Sequence, residues 1–223
     1  MDIIPLNQVS WQIFGLTEWT WNCIVYGMLS TLMTRFFLRK PERNIPEGSV
    51  ILSPAHGKIT SIFSTQESLK LNKGLWGRIL GSTTDIAPQC WVVSIRMNLF
   101  NVHVQRAPLA GIVNRACFTP GTFHNAVWRA RQFHWLENAK NEIEIQSLDF
   151  PLRYKVIQVA GYLARAIRCS VSEGDEVAAG DELGYIALGS AVVLVLPHSP
   201  RLRMFSQVGQ KVVDGETLIA KIA

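Results

Sequence analysis

From residue 49 onward the apolar positions come in short runs separated by glycine, proline and polar clusters. Residues 50–52, 59–63, 91–95, 143–145, 154–159 and 192–196 read as strands. Several of them alternate apolar and polar side chains, as a half-buried strand must. Residues 97–101 suit a turn or a short helix, and no long helical period occurs in this part of the chain. The N-terminal region reads differently. Residues 19–38 form a 20-residue stretch whose single charge, Arg35, lies near its end. That is the length of a bilayer-spanning helix. Asn22, Ser30, Thr31 and Thr34 dilute its apolarity, while Trp19, Trp21 and Tyr26 suit a membrane interface. A single span, a helix lying in the interface and a buried helix of a soluble domain all stay open, with membrane association preferred. Arg35, Arg39, Lys40 and Arg43 would place the body on the cytoplasmic face of the cell membrane. The expected organisation is a membrane-associated segment at 1–40 and a β domain at 41–223. Residues 41–48 (PERNIPEG) read as a polar linker, with folded structure starting near Ser49.

An internal repeat sharpens the fold class. Residues 174–183 and 209–218 both read G-x-x-V-x-x-G-x-x-L. The glycines permit tight turns with positive φ, and the Val and Leu are expected to point inward. A second pair, Pro54–Ile59 and Pro108–Val113, reads P-x-x-G-x-[IV]. Such turns occur in sandwich barrels of the lipoyl and biotinyl type, where two similar halves pack together. The expected fold is therefore mainly β: a sandwich-barrel (lipoyl/biotinyl-hammerhead-like) body behind an N-terminal membrane-associated helix.

Composition and charge narrow the partners. The 223 residues are 48% hydrophobic and 17% charged, with a net charge of +5. An excess of positive charge favours anionic partners. No zinc-finger spacing, Arg-rich arm or RNP-like aromatic motif occurs, so lipid is preferred and nucleic acid is not expected. Cys23, Cys90, Cys117 and Cys169 are scattered without a CxxC, which fits reduced core cysteines better than disulfides or a metal site. A carrier-domain function is disfavoured, because no lysine sits in a tight hairpin of the modified type between the repeats. Homo-oligomerisation stays open.

The candidate chemistry centres on Gly189-Ser190, which lies between the two repeats and directly before the apolar run 192–196. A serine held on a rigid strand after a residue without a side chain is well placed to attack the preceding carbonyl. Leu80-Gly81-Ser82-Thr83 offers a similar motif, but in a polar, glycine-containing stretch with no apolar strand after it, and reads as a loop.

Several runs carry a family resemblance. Residues 36–43 (FFLRKPER) resemble the FFRDPER run of the small phosphatidylserine decarboxylases, and residues 53–59 (SPAHGKI) resemble PADGKI. Residues 97–108 (MNLFNVHVQRAP) resemble MSPLDVHVNRAP, 137–142 (ENAKNE) resemble ENERNE, and 158–165 (QVAGYLAR) resemble QIAGLVAR. The runs follow the family order, and Gly189-Ser190 falls on its self-cleavage site.

The resemblance implies an enzyme that converts phosphatidylserine to phosphatidylethanolamine through a pyruvoyl cofactor. Cleavage would give a β chain of residues 1–189 and an α chain of 190–223, partners in the mature enzyme, with Ser190 becoming the pyruvoyl group. Decarboxylating an amino acid needs an electron sink, which a ketone forming a Schiff base with the substrate amine supplies. His103 would protonate the carbanion, as an imidazole near its working pKa can. Arg106 and Arg165 would bind the substrate phosphate or carboxylate. Asn138 and Asn141 would shape the site. No metal is implied.

His56 departs from the family, which has Asp at that position. In larger members that Asp, and a His three positions beyond the one matching His103, activate the serine. Here those positions hold His56 and Arg106, the latter as in other small members. Three readings stay open: neutral His56 acts directly on Ser190 as a general base, the chain matures slowly or not at all and works as a lipid- or partner-binding module, or His56 merely fills a turn.

Overall fold

The computed structural model describes residues 18–65, 83–121, 136–161, 166–186 and 190–223. The chain divides into two compact units, residues 1–38 and 39–223.

In the first unit a single helix is described, α1 (Glu18–Phe37). Its hydroxyl residues turn back on the helix, with Thr31 Oγ1 donating to the Gly27 carbonyl and Thr34 Oγ1 to that of Ser30, both at 2.8 Å. This is how such residues are accommodated inside a helix. Tyr26, Met28, Leu29, Leu32 and Met33 are exposed. No helix among the described residues is long and apolar enough to cross a membrane. The polar residues that interrupt α1 are the physical reason, and they leave the single-span alternative without a helix to carry it.

The second unit is mainly β. Its largest sheet is antiparallel and curled, with eight strands. Their order is β13 (Lys211–Val212), β2 (Gly57–Ser64), β3 (Cys90–Arg96), β11 (Ala191–Pro197), β7 (Arg153–Val159), β6 (Lys140–Ser147), β5 (Gly111–Thr119) and β9 (Glu176–Val177). Among the described residues two three-stranded sheets accompany it. One runs β1 (Val50–Leu52), β14 (Leu218–Ile222), β12 (Leu202–Met204). The other runs β4 (Val104–Arg106), β10 (Glu182–Ile186), β8 (Ile167–Cys169). All six runs expected as strands lie in strands.

The repeat is structural. Gly57 is paired with Val212, and Gly111 with Val177. Ile59 and Gly209–Gln210 exchange two backbone hydrogen bonds, and Val113 and Gly174–Asp175 exchange the matching two. The register shifts after Ile59 in β2 and after Val113 in β5. These equivalent bulges bend the two strands and contribute to the curl of the sheet. Gly57 and Gly111 are required for the same reason, since a Cβ at either would meet a carbonyl oxygen of the neighbouring strand at 2.4 Å. Val177, Val212 and Leu183 are buried as expected, whereas Leu218 is only partly so.

Strand β11 runs through the centre, paired in register with β3 and β7. Val192, Leu194 and Leu196 face the main core, while Val193 and Val195 face a smaller cluster with Cys90, Val92, Ile157 and Val159. Burial on both faces explains why the run 192–196 has no polar alternation. All four cysteines are free; Cys90 is buried in the core and Cys169 packs against it partly buried, whereas the core reading does not hold for exposed Cys23 or for half-buried Cys117.

Residues 39–47 are not a free linker. They form a strap on the second unit. The Ile45 side chain sits against Gly180 and Gly215, equivalent glycines of the two repeats, both with positive φ. A Cβ at Gly180 would come within 2.4 Å of Ile45 Cδ1. The missing side chains are what make the seat. Folded structure therefore begins about ten residues before the expected start at Ser49, because alternate strap residues carry contacts that a polar composition conceals.

Candidate active site

The loop after β3 and the first residues of β4 carry the chemistry. Asn98 and Asn101 build the loop. Asn98 Oδ1 accepts from the Phe100 and Asn101 amides at 2.9 and 3.1 Å, and Asn101 Oδ1 accepts from the Asn98 amide at 2.7 Å. Such Asx hydrogen bonds are how asparagine fixes a turn. The Asn101 carbonyl lies 2.9 Å from His103 Nδ1. A carbonyl only accepts, so Nδ1 carries the proton of the neutral ring and Nε2 its lone pair.

Buried His103 is anchored from behind. Its carbonyl accepts from Gln105 Nε2 at 2.7 Å and from the Ile186 amide at 3.2 Å. Gln158 Nε2 donates to Gln105 Oε1 and Asn141 Nδ2 donates to Gln158 Oε1, both at 2.8 Å. Asn138 Nδ2 holds the Ala160 carbonyl at 2.8 Å. Of Asn138 and Asn141, expected to shape the site, the first holds the backbone just past the end of β7 and the second begins an amide relay to His103. Burial lowers the His103 pKa below the ordinary imidazole value, the bond to Asn101 opposes this, and the charges of Arg39 and His56 add to the lowering.

Ser190 is buried at the head of β11. Its carbonyl accepts from the Met97 amide at 3.0 Å, and among the described residues its Oγ has no hydrogen-bond partner. Three residues separate Ser190 from Ile186, whose amide holds the His103 carbonyl. Their Cα atoms are therefore within about 15 Å, and topology brings the serine toward the histidine. Gly189, Arg165 and the 80–82 part of the second Gly-Ser motif lie outside the described residues.

His56 sits in the turn before β2. Its Nδ1 accepts from the Val102 amide at 3.3 Å, which places the proton of the neutral ring on Nε2. The lone pair a base would use is committed to the backbone. Burial lowers the His56 pKa, Asp214 opposes it, and Arg43 and Arg39 add to it.

Arg106 is occupied by the protein. Its Nε donates to Asp214 Oδ2 at 2.9 Å, Nη1 to the Gly180 carbonyl at 2.8 Å and Nη2 to the Pro41 carbonyl at 3.1 Å. The substrate-binding role expected of Arg106 is left without an open fork. Buried Asp214 also takes two hydrogen bonds from Arg43, from Nη2 at 2.6 Å and Nε at 3.2 Å.

Asp214, Gln105 and Gln158 do not stand out in the sequence, and Arg39 and Arg43 stand out there only as charges beside the membrane-associated segment. For Asp214 the repeat held the signal, because it stands where the first copy has Ala179. A carboxylate replacing alanine in a buried turn needs a cation, and the strap supplies one.

Known proteins match nearly the whole chain. The family model for phosphatidylserine decarboxylase matches residues 29–220. A phosphatidylserine decarboxylase proenzyme of Solidesulfovibrio magneticus is 31% identical, covering 100% of this chain and 94% of its own length. Those of Desulfotalea psychrophila and Syntrophus aciditrophicus are 35% and 34% identical, covering 87% and 92% of this chain and 82% and 90% of their own lengths. With the buried serine, the anchored histidine and the family motifs in order, the chain belongs to the phosphatidylserine decarboxylase family.

Proposed function

We propose that this decarboxylase matures by cutting itself between Gly189 and Ser190, and that His103 is the base for the cut. The observation that carries the reading is the buried Ser190 Oγ, partnerless among the described residues, at the head of a rigid strand. A buried hydroxyl without a partner is costly and calls for a reason. Here the reason is nucleophilic attack.

His103 Nε2 accepts the hydroxyl proton as Oγ bonds to the Gly189 carbonyl carbon, and the proton passes to the Ser190 amine as the C–N bond breaks. Loss of the Ser190 α-proton then expels the Gly189 carboxylate. The resulting enamine tautomerises, and water releases ammonia to leave the pyruvoyl group. That group, when formed, supplies the electron sink for decarboxylating the substrate amino acid. His103 remains at the site to hold and return a proton at Nε2. Arg165 is retained as the substrate-binding candidate, and Arg106 is assigned to positioning. The body is read as a sandwich barrel whose two halves are the paired repeats. α1 is read as an interfacial helix bringing the enzyme to membrane phosphatidylserine. Among the described residues, nothing favours the alternative of an inactive module.

Intact mass of the purified chain tests the maturation. The expected result is two pieces, residues 1–189 and 190–223, the smaller lacking a free N-terminal amine. A single uncut chain that still decarboxylates phosphatidylserine would overturn it.

The two histidines separate under mutation. His103→Ala is expected to slow self-cleavage by about 100-fold or more, the usual contribution of a general base. His56→Ala is expected to slow it only several-fold, since its Nδ1 is tied to Val102. Equal losses in the two variants would remove the distinction. The pH dependence has a definite sign. A His103 pKa below 6.5 keeps the ring neutral at neutral pH, so the cleavage rate should hold as pH falls past 6.5 and drop only through the lowered value. A rate already halved above pH 6.5 would contradict His103 as the base.

A further inference from the structure

We propose that the tip of the 98–101 loop, Leu99-Phe100, inserts into the surface of an anionic phospholipid bilayer and seats the mouth of the active site on it. The inference rests on the reading of membrane phosphatidylserine as the substrate. Phe100 is 74% exposed and Leu99 43% exposed, adjacent at the end of one loop. Two adjacent exposed apolar side chains at a loop tip form a local patch of the kind that marks an interaction surface when other features converge on it. The loop is stiff, because the Asn98 and Asn101 side chains lock its backbone and present both side chains outward. A stiff tip inserts without paying the entropy of being ordered on contact.

Two further observations point to a lipid surface and not to a protein groove. Arg39 Nη2 donates to the Phe100 carbonyl at 2.7 Å, setting a guanidinium directly behind the apolar tip. An apolar tip backed by a cation matches a bilayer interface, with acyl chains below and phosphates at the surface. The same loop also ends in the site. Asn101 holds the His103 ring and the Val102 amide holds His56. A membrane contact at residues 99–100 is thus only a few residues from both histidines, where a lipid headgroup must arrive to react. Arg39 begins the strap directly after α1, so the cation and the helix are neighbours in sequence.

The test compares the full-length parent with Phe100→Ser and Phe100→Trp. Sedimentation with vesicles of phosphatidylcholine and phosphatidylglycerol reads binding. Decarboxylation is measured on phosphatidylserine in vesicles and on monomeric short-chain phosphatidylserine. For Phe100→Ser the expected result is a loss of about tenfold in vesicle affinity and vesicle turnover, the scale of one buried aromatic side chain. Turnover of the monomeric substrate should stay within about twofold of the parent on the same scale. Phe100→Trp should retain both. Unchanged vesicle binding in Phe100→Ser would overturn the proposal, as would an equal loss on both substrates, which would mark a structural role for the side chain. If the parent decarboxylates neither substrate, the proposed function fails, while the sedimentation difference still decides the loop.

Discussion

Ser190→Ala is expected to leave the chain in one piece and to abolish decarboxylation. The methyl group cannot attack the Gly189 carbonyl, so neither the cut nor the ketone can form. Among the described residues no hydroxyl substitutes by position: Ser94 lies inside β3, and Ser53 is committed to the Ala55 carbonyl at 2.8 Å. The loss should be complete, because without the ketone the substrate amine has no electron sink. Stability gives the control. Ser190 Oγ has no partner among the described residues, so its removal breaks no hydrogen bond there and relieves an unsatisfied buried oxygen. The variant should fold with an unfolding midpoint no lower than that of the uncut precursor. Intact mass, thermal unfolding and release of carbon dioxide check the three statements. An uncut Ser190→Ala chain that retains activity would refute the mechanism, and a cut one would move the cleavage site.

The strands and the repeat were legible because their signals are local. Turn glycines, β-branched runs and period-2 alternation act within a few residues, and the paired motifs advertised the relation of the two halves. Gly57 and Gly111 illustrate this, each a glycine because the neighbouring strand passes too close for a Cβ. The strap was not legible. PERNIPEG has the composition of a linker, and its contacts are with residues far away in sequence: Pro41 with Arg106, Ile45 with Gly180 and Gly215, and Arg43 with Asp214. The candidate site was half legible. Ser190 and His103 stood out through their neighbours, whereas the relay Asn141–Gln158–Gln105 joins three segments through amides that nothing local marks. The roles of His56 and Arg106 turned on which atom faces which partner, and sequence carries no such information.

Asp214 has the largest structural effect. It is buried and binds two guanidinium groups, Arg43 and Arg106, whose side chains are only 11% and 16% exposed. Asp214→Ala would leave both cations facing each other with little water. Removing one partner of a buried ion pair costs about 3–5 kcal/mol, and here one removal takes the carboxylate from two guanidiniums, leaving Arg43 only Glu216 at 3.9 Å. The residue also joins the two products of maturation, since Arg43 and Arg106 lie before the proposed cut and Asp214 after it. The α chain stays in place chiefly through β11, so the variant should unfold more easily and not fall apart. The site should feel the change as well. Asp214 is the main influence raising the His56 pKa, against the lowering by Arg43 and Arg39. Without it the His56 pKa should move further down. Urea unfolding of Asp214→Ala should show a midpoint well below the parent's, and Asp214→Glu should recover part of the loss by restoring the charge. Replacing the whole cluster with apolar residues of similar volume (Arg43→Met, Arg106→Met and Asp214→Leu together) should be milder than Asp214→Ala alone, because no buried charge is then left uncompensated. A triple variant less stable than the single one would show that these three side chains matter for shape more than for charge.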